Sequence, residues 1–116
     1  MGEVLYTGAE RRRFKRTTKP VGAMIQVPSA TIFMDWETVS VHDTGAGGMY
    51  FLHNKKFEIG SLLNFKISLS PESRTIRCIG KVLRANKVNN TDTCGIAVCF
   101  VDIDPSDMNL INIFAD

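Results

Sequence analysis

From Leu63 to Leu69 the chain alternates without a break: Leu63, Phe65, Ile67 and Leu69 are apolar, and Asn64, Lys66 and Ser68 are polar. Successive side chains of a strand point to opposite faces, so this spacing predicts a strand with one face in a core and the other in water. Pro71-Glu72-Ser73 then reads as a turn. A sheet built from such half-apolar strands needs a partner layer, or closure on itself, to hide the apolar face.

Similar signals recur along the chain. Strands are expected over Gly22 to Val27, Thr31 to Met34 and Glu37 to His42, where Val39 and Val41 alternate with Thr38, Ser40 and His42. Further strands are expected over Met49 to Leu52, Thr75 to Ala85 and Gly95 to Val101, the last two joined by the turn-rich segment Asn86 to Thr93. Only the C-terminus carries a helix start. There Asp104 suits an N-cap, Pro105 the first helical position and Asp107 the positive end of the helix dipole. Met108, Ile111 and Phe114 then form one apolar edge. Many strands, short polar turns and one terminal helix predict an all-β fold, an antiparallel β-barrel with a short C-terminal α-helix.

A chain of 116 residues is long enough for one hydrophobic core. Residues 1–20 are expected to form a flexible basic arm and residues 21–116 the barrel domain. Cys78, Cys94 and Cys99 are an odd number in separate apolar segments, a poor disulfide framework, and read as small buried hydrophobes. Neither a C-x-x-C spacing nor a nearby histidine makes a metal site of them, so no metal or cofactor is expected. No apolar run approaches the roughly 20 residues of a membrane span, and the start lacks the order of a signal peptide, so the expected location is cytoplasmic.

The net charge of +2 hides an asymmetry. Arg11, Arg12, Arg13, Lys15, Arg16 and Lys19 are six of the fourteen cations, and residues 21–116 hold the other eight against ten of the twelve acids. A local basic arm on a mildly acidic body seeks an anion at one place rather than coating a long polyanion, which disfavours nucleic acid as partner. Proline at position 20 biases Lys19 toward extended backbone, so the segment is an arm and not a helix. Arg12-x-x-x-Arg16 puts two guanidinium forks on one side of it, about 13 Å apart at roughly 3.3 Å per residue. Such a fork pairs bidentately with phosphate or with guanine O6 and N7, and also stacks on a base.

A second motif, Asp43-Thr44-Gly45-Ala46-Gly47-Gly48, reads as a glycine-rich turn after a strand. Its aspartate can accept from guanine N–H groups or from an arginine of the arm. Its glycines permit positive φ and close approach of backbone amides to an anion. The missing G-K-[ST] ending excludes a phosphate loop of the nucleotide-hydrolase type.

The pair E-R-R-R-F-x-R and D-x-x-x-x-G resembles the PilZ domain family, whose signature is R-x-x-x-R followed by [DN]-x-S-x-x-G. Gly80-Lys81-Val82, the segment Gly95 to Phe100 and the closing helix also resemble it, so the likeness covers nearly the whole chain. The resemblance implies a six-stranded antiparallel barrel with a C-terminal helix and binding of cyclic di-GMP. Carried over by position, Arg12 and Arg16 grip guanine edges and phosphates, with Arg11 as an auxiliary phosphate contact. Asp43 is the acidic residue of the second motif and Gly48 its closing glycine. Gly45 stands where the family usually has serine. A neutral hydrogen bond is worth about 0.5 to 1.5 kcal/mol, so a serine there is expected to tighten binding modestly. Arg84, four residues after Gly80, is expected on the same strand face as a further cation near the ligand.

The function that follows is a cyclic di-GMP receptor or adaptor in bacterial second-messenger signalling. Its arm folds over the barrel on binding and exposes a surface for a protein partner acting in trans. The alternative is a PilZ-like interaction module with weak or lost nucleotide binding; a small nucleic-acid-binding barrel is a further one. Catalysis is not expected, because His42 and His53 have no nucleophile at a recognisable motif spacing.

Overall fold

The computed structural model describes residues 14–28 and 35–116. Its strands are β1 (Arg16–Thr17), β2 (Gly22–Gln26), β3 (Glu37–Gly45), β4 (Gly48–His53), β5 (Leu62–Ser68), β6 (Ile76–Lys87) and β7 (Cys94–Asp102), followed by helix α1 (Pro105–Ala115). The strand expected over residues 31–34 lies outside the described residues. All pairings are antiparallel. The order β3-β2-β5-β6-β7-β4 closes on itself through β3 and β4, which makes the antiparallel barrel expected from the pattern, with the six strands that the resemblance implied. The short β1 is an addition at the free edge of β3.

The alternation of β5 explains its place. Leu63, Phe65 and Ile67 are buried and face the barrel interior, while Asn64 and Lys66 stay on the outside. Phe65 pairs across to Ile25 on β2 and to Cys78 on β6. Its ring meets Phe51 edge-on at 6.0 Å and Phe100 at 5.7 Å, which centres the core between β4, β5 and β7. Each such ring contributes about 1.5 to 3 kcal/mol by leaving water. Cys78 and Cys94 belong to this core, and burial pushes the Cys78 thiol up to about 12, with Asp107 and Asp102 adding to the shift.

Helix α1 starts where its signals placed it. Asp104 accepts from the backbone N–H of Ser106 at 2.8 Å, and Pro105 occupies the first turn. Ile111 is buried, and Met108 and Phe114 pack half-buried against the same core. Arg74 donates to Asp107 at 2.7 Å and ties the helix to the segment before β6. Among the described residues no helix is long and apolar enough to cross a membrane.

Candidate ligand-binding cleft

The register of the ladders shifts at three places, Val41/Asp43 on β3 and Ile79/Gly80 and Val82/Arg84 on β6, and the first and the last of these border the same cleft. In β3 the register slips between Val41 and Asp43, so His42 is an extra residue in the ladder with β4. Simple alternation after Val39 and Val41 would turn Asp43 inward. The bulge turns it outward beside His42 and buries Thr44 completely instead. The Thr44 hydroxyl finds a partner in the Gly48 carbonyl at 3.1 Å. In β6 the register slips between Val82 and Arg84. Val82 and Ala85 are buried, and Leu83 and Arg84 are both exposed between them. Arg84 therefore does not share the face of Gly80, as the four-residue spacing implied; the bulge turns it outward.

The basic arm reaches this surface through β1. Arg16 pairs with Gly45 and Thr17 with Thr44 along the edge of β3. From there Arg16 Nε donates to Asp43 Oδ1 at 2.8 Å, and its Nη2 donates to the same oxygen. His42 Nδ1 lies 2.8 Å from the other carboxylate oxygen. Partial burial raises the Asp43 pKa, but the bonds from His42 and Arg16 outweigh it and hold the group below the usual carboxylate range. Asp43 is thus an anion fixed at both oxygens.

The rest of the described arm is seated by several small contacts. Phe14 packs against the core beside Gly47. Lys15 pairs with Asp116, and Lys19 donates to the Phe114 carbonyl at 2.9 Å with its charge 5.3 Å from the Phe114 ring centre. These lysines supply the last turn of α1 with cations that its own sequence lacks, where the dipole favours them. Exposed ion pairs are each worth up to about 1 kcal/mol, so the segment is held by the sum of weak terms. Arg11 and Arg12 lie outside the described residues.

The second motif is not a loop. Asp43 to Gly45 belong to β3, Gly48 begins β4, and only Ala46 and Gly47 form the turn. None of Gly45, Gly47 and Gly48 has a positive φ, so the expected left-handed backbone is absent there. Their smallness serves close packing. A Cβ on Gly45 would lie 2.4 Å from the Lys15 carbonyl oxygen, and one on Gly48 would lie 2.2 Å from that of Val98. Gly45 lets β1 lie along β3; Gly48 lets β4 meet β7. A serine at position 45 therefore requires β1 to shift from β3.

Two adjoining depressions share Arg16, Leu83 and Val98. One, of about 440 Å³, is lined by His42, Asp43, Tyr50 and Arg84. The other, of about 310 Å³, is lined by Phe14, Gly47, Gly48, Cys99 and Met108. Arg16, Asp43, Gly48 and Arg84 are thereby brought together, with Gly45 under the arm. His42, Tyr50, Leu83 and Cys99 join them without having been expected to. Two guanidinium groups, one oriented carboxylate and two ring edges suit a flat ligand that carries both anionic oxygens and N–H donors. Among the described residues no group of His, Cys, Asp and Glu side chains could hold a metal ion.

A closed six-stranded barrel with a C-terminal helix and a cationic cleft beside a glycine-rich hairpin defines a small ligand-binding β domain. A sequence-family model for the PilZ domain matches residues 10–115, and the chain belongs to the PilZ domain family. Among solved structures, the Bacillus subtilis inhibitor of motility, MotI/DgrA, aligns with a TM-score of 0.76 at 18% identity, over 90% of this chain and 49% of that one. The chain thus spans about half of that structure. The PilZ domain of YcgR from Escherichia coli, solved with c-di-GMP, aligns with a TM-score of 0.63 at 14% identity, over 90% of this chain and 88% of that one. No curated protein matches the chain in sequence.

Proposed function

We propose that this domain is a receptor for cyclic di-GMP that works by binding and not by catalysis. The observation that carries the reading is the direct pairing of Arg16 with Asp43, 27 residues apart, which joins the two signature motifs in one cleft. In this reading Arg16 keeps one edge of its fork on Asp43 and offers the other to a guanine or phosphate. Asp43 accepts from guanine N–H groups with its remaining lone pairs. Arg84 neutralises a phosphate from the opposite wall. Arg12 and Arg11, four and five residues before Arg16 in the first motif, are assigned to guanine edges and phosphates of the ligand. Gly48 keeps the cleft floor flat.

The output is a protein partner in trans. Leu62, Leu83 and Val101 stand exposed on the neighbouring strands β5, β6 and β7, and Leu83 borders the cleft. A ligand that reorganises the arm changes shape and charge beside Leu83, in a cytoplasmic setting. The same exposed residues are what a module without nucleotide binding would use, so the two readings part on the ligand.

Titration calorimetry with cyclic di-GMP, GMP and a short RNA separates them. Heat with cyclic di-GMP at micromolar concentration, with far weaker response to the other two, is the expected result. Silence with all three would leave a protein-interaction module, and steeply salt-dependent binding of RNA alone would make the domain a nucleic-acid binder.

A further inference from the structure

The Asp43 carboxylate is held from two sides, and only one of the two holders belongs to a signature motif. Arg16 takes Oδ1; His42, through Nδ1 at 2.8 Å, takes Oδ2. His42 owes this position to the β3 bulge, which points two consecutive side chains outward. Its ring also meets Tyr50 of β4 edge-on, with centroids 5.6 Å apart and planes at 80°. The imidazole is therefore fixed between a carboxylate and an aromatic edge although 59% of its side chain is exposed.

The charged and titratable groups around it are Asp43 on β3, Arg16 on β1, Tyr50 on β4 and Arg84 on β6, all lining the same depression. Lys15, Lys19 and Asp116 are engaged with one another and with the end of α1. With His42 neutral, the two guanidinium groups exceed the carboxylate by a single charge. A proton on His42 doubles that excess.

Resting on the cyclic di-GMP reading, we propose that His42 is a positioning residue of the site and its pH-responsive member. Neutral, its Nδ1–H donates to Asp43 Oδ2 and keeps the carboxylate aligned with Arg16. Protonated, it keeps that bond and adds a cation facing a ligand that carries two phosphates. Bound ligand therefore raises the proton affinity of the imidazole. By linkage, the extra binding is present where the imidazole is already protonated without ligand and is lost as pH rises until the complex also releases that proton.

The test is calorimetry with cyclic di-GMP at acidic and neutral pH, on wild type, His42→Gln and His53→Gln. His53 is the chain's other histidine and is engaged with Glu37 at 2.9 Å, away from the cleft. Wild type and His53→Gln should bind about two- to fivefold tighter at acidic than at neutral pH, the scale of one exposed charge contact. His42→Gln should bind with little pH dependence. Equal pH dependence in wild type and His42→Gln would overturn the role of His42 and leave the ligand site standing. A wild type that binds no cyclic di-GMP at either pH would overturn the ligand reading itself. Should His42→Gln fold poorly, NMR titration of the wild-type imidazole decides the matter: its midpoint must rise when ligand is added, and an unchanged midpoint contradicts the proposal.

Discussion

Strands β5 and β3 lie on either side of β2, and they do different work. In β5 every second residue is buried, no residue is out of register, and Phe65 sits at the centre of the core. In β3 the ladder with β4 slips at His42, a carboxylate is turned outward, and a glycine gives up its side chain so that the arm can lie beside it. The slip at Val82/Arg84 of β6 adds Leu83 and Arg84 to the same cleft, whereas the slip at Ile79/Gly80 lies away from it. Regular strands make the frame of this barrel, and two of its three slips border the cleft.

Substitutions in the two regions should therefore separate stability from binding. The largest effect is expected for Phe65→Ala, which empties a fully enclosed position between Phe51 and Phe100. Losses of about 3 to 5 kcal/mol are usual for such a truncation, enough to threaten folding. Urea unfolding, followed by the fluorescence of Trp36 beneath Lys66, measures it. Arg16→Ala should do the opposite. Its exposed pair with Asp43 is worth up to about 1 kcal/mol to folding. Loss of a charge-assisted contact of about 1.5 to 3 kcal/mol should weaken cyclic di-GMP binding by roughly ten- to a hundredfold. Calorimetry and urea unfolding on the same sample read both halves.

The smallest of these effects, and the one that sharpens the comparison most, is Gly45→Ser. Because a Cβ there would collide with the Lys15 carbonyl, β1 must lift from β3. Faster amide exchange at Arg16 and Thr17, unchanged exchange in β5, and binding weakened about three- to tenfold are expected, on the scale of one lost hydrogen bond. Tighter binding with β1 still protected would show that the arm and a serine can share the edge.

Most of the frame was legible from residue pattern. The alternation of β5 and the N-cap at Asp104 each follow from local rules, and each appears within a residue or so of its expected place. Arg16 and Asp43 stood out as candidates through their places in two motifs. The contact between them did not. Pairing of β1 with β3 is a long-range event, and no local preference announces it. The bulge at His42 was equally hidden, because an extra residue in a ladder has no letter of its own. Val39 and Val41 set an alternation that, continued, would bury Asp43. For the same reason Arg84 was expected near the site on a face that the β6 slip takes away. Gly45, Gly47 and Gly48 were visible as glycines, but their reason is the nearness of Lys15, Phe14 and Val98, which only the folded chain supplies.

The measurement that tests the account most directly is a map of backbone NMR shifts on adding cyclic di-GMP. A separate depression, lined by Trp36, Arg77, Asp102 and Asp104, serves as the internal comparison. The account predicts that shifts concentrate at Arg16, at His42 to Gly48, at Leu83 and Arg84, and at Ala97 to Cys99, while Arg77 and Asp102 stay still. Shifts centred on Trp36, Arg77 and Asp102, or none anywhere at saturating ligand, would contradict it.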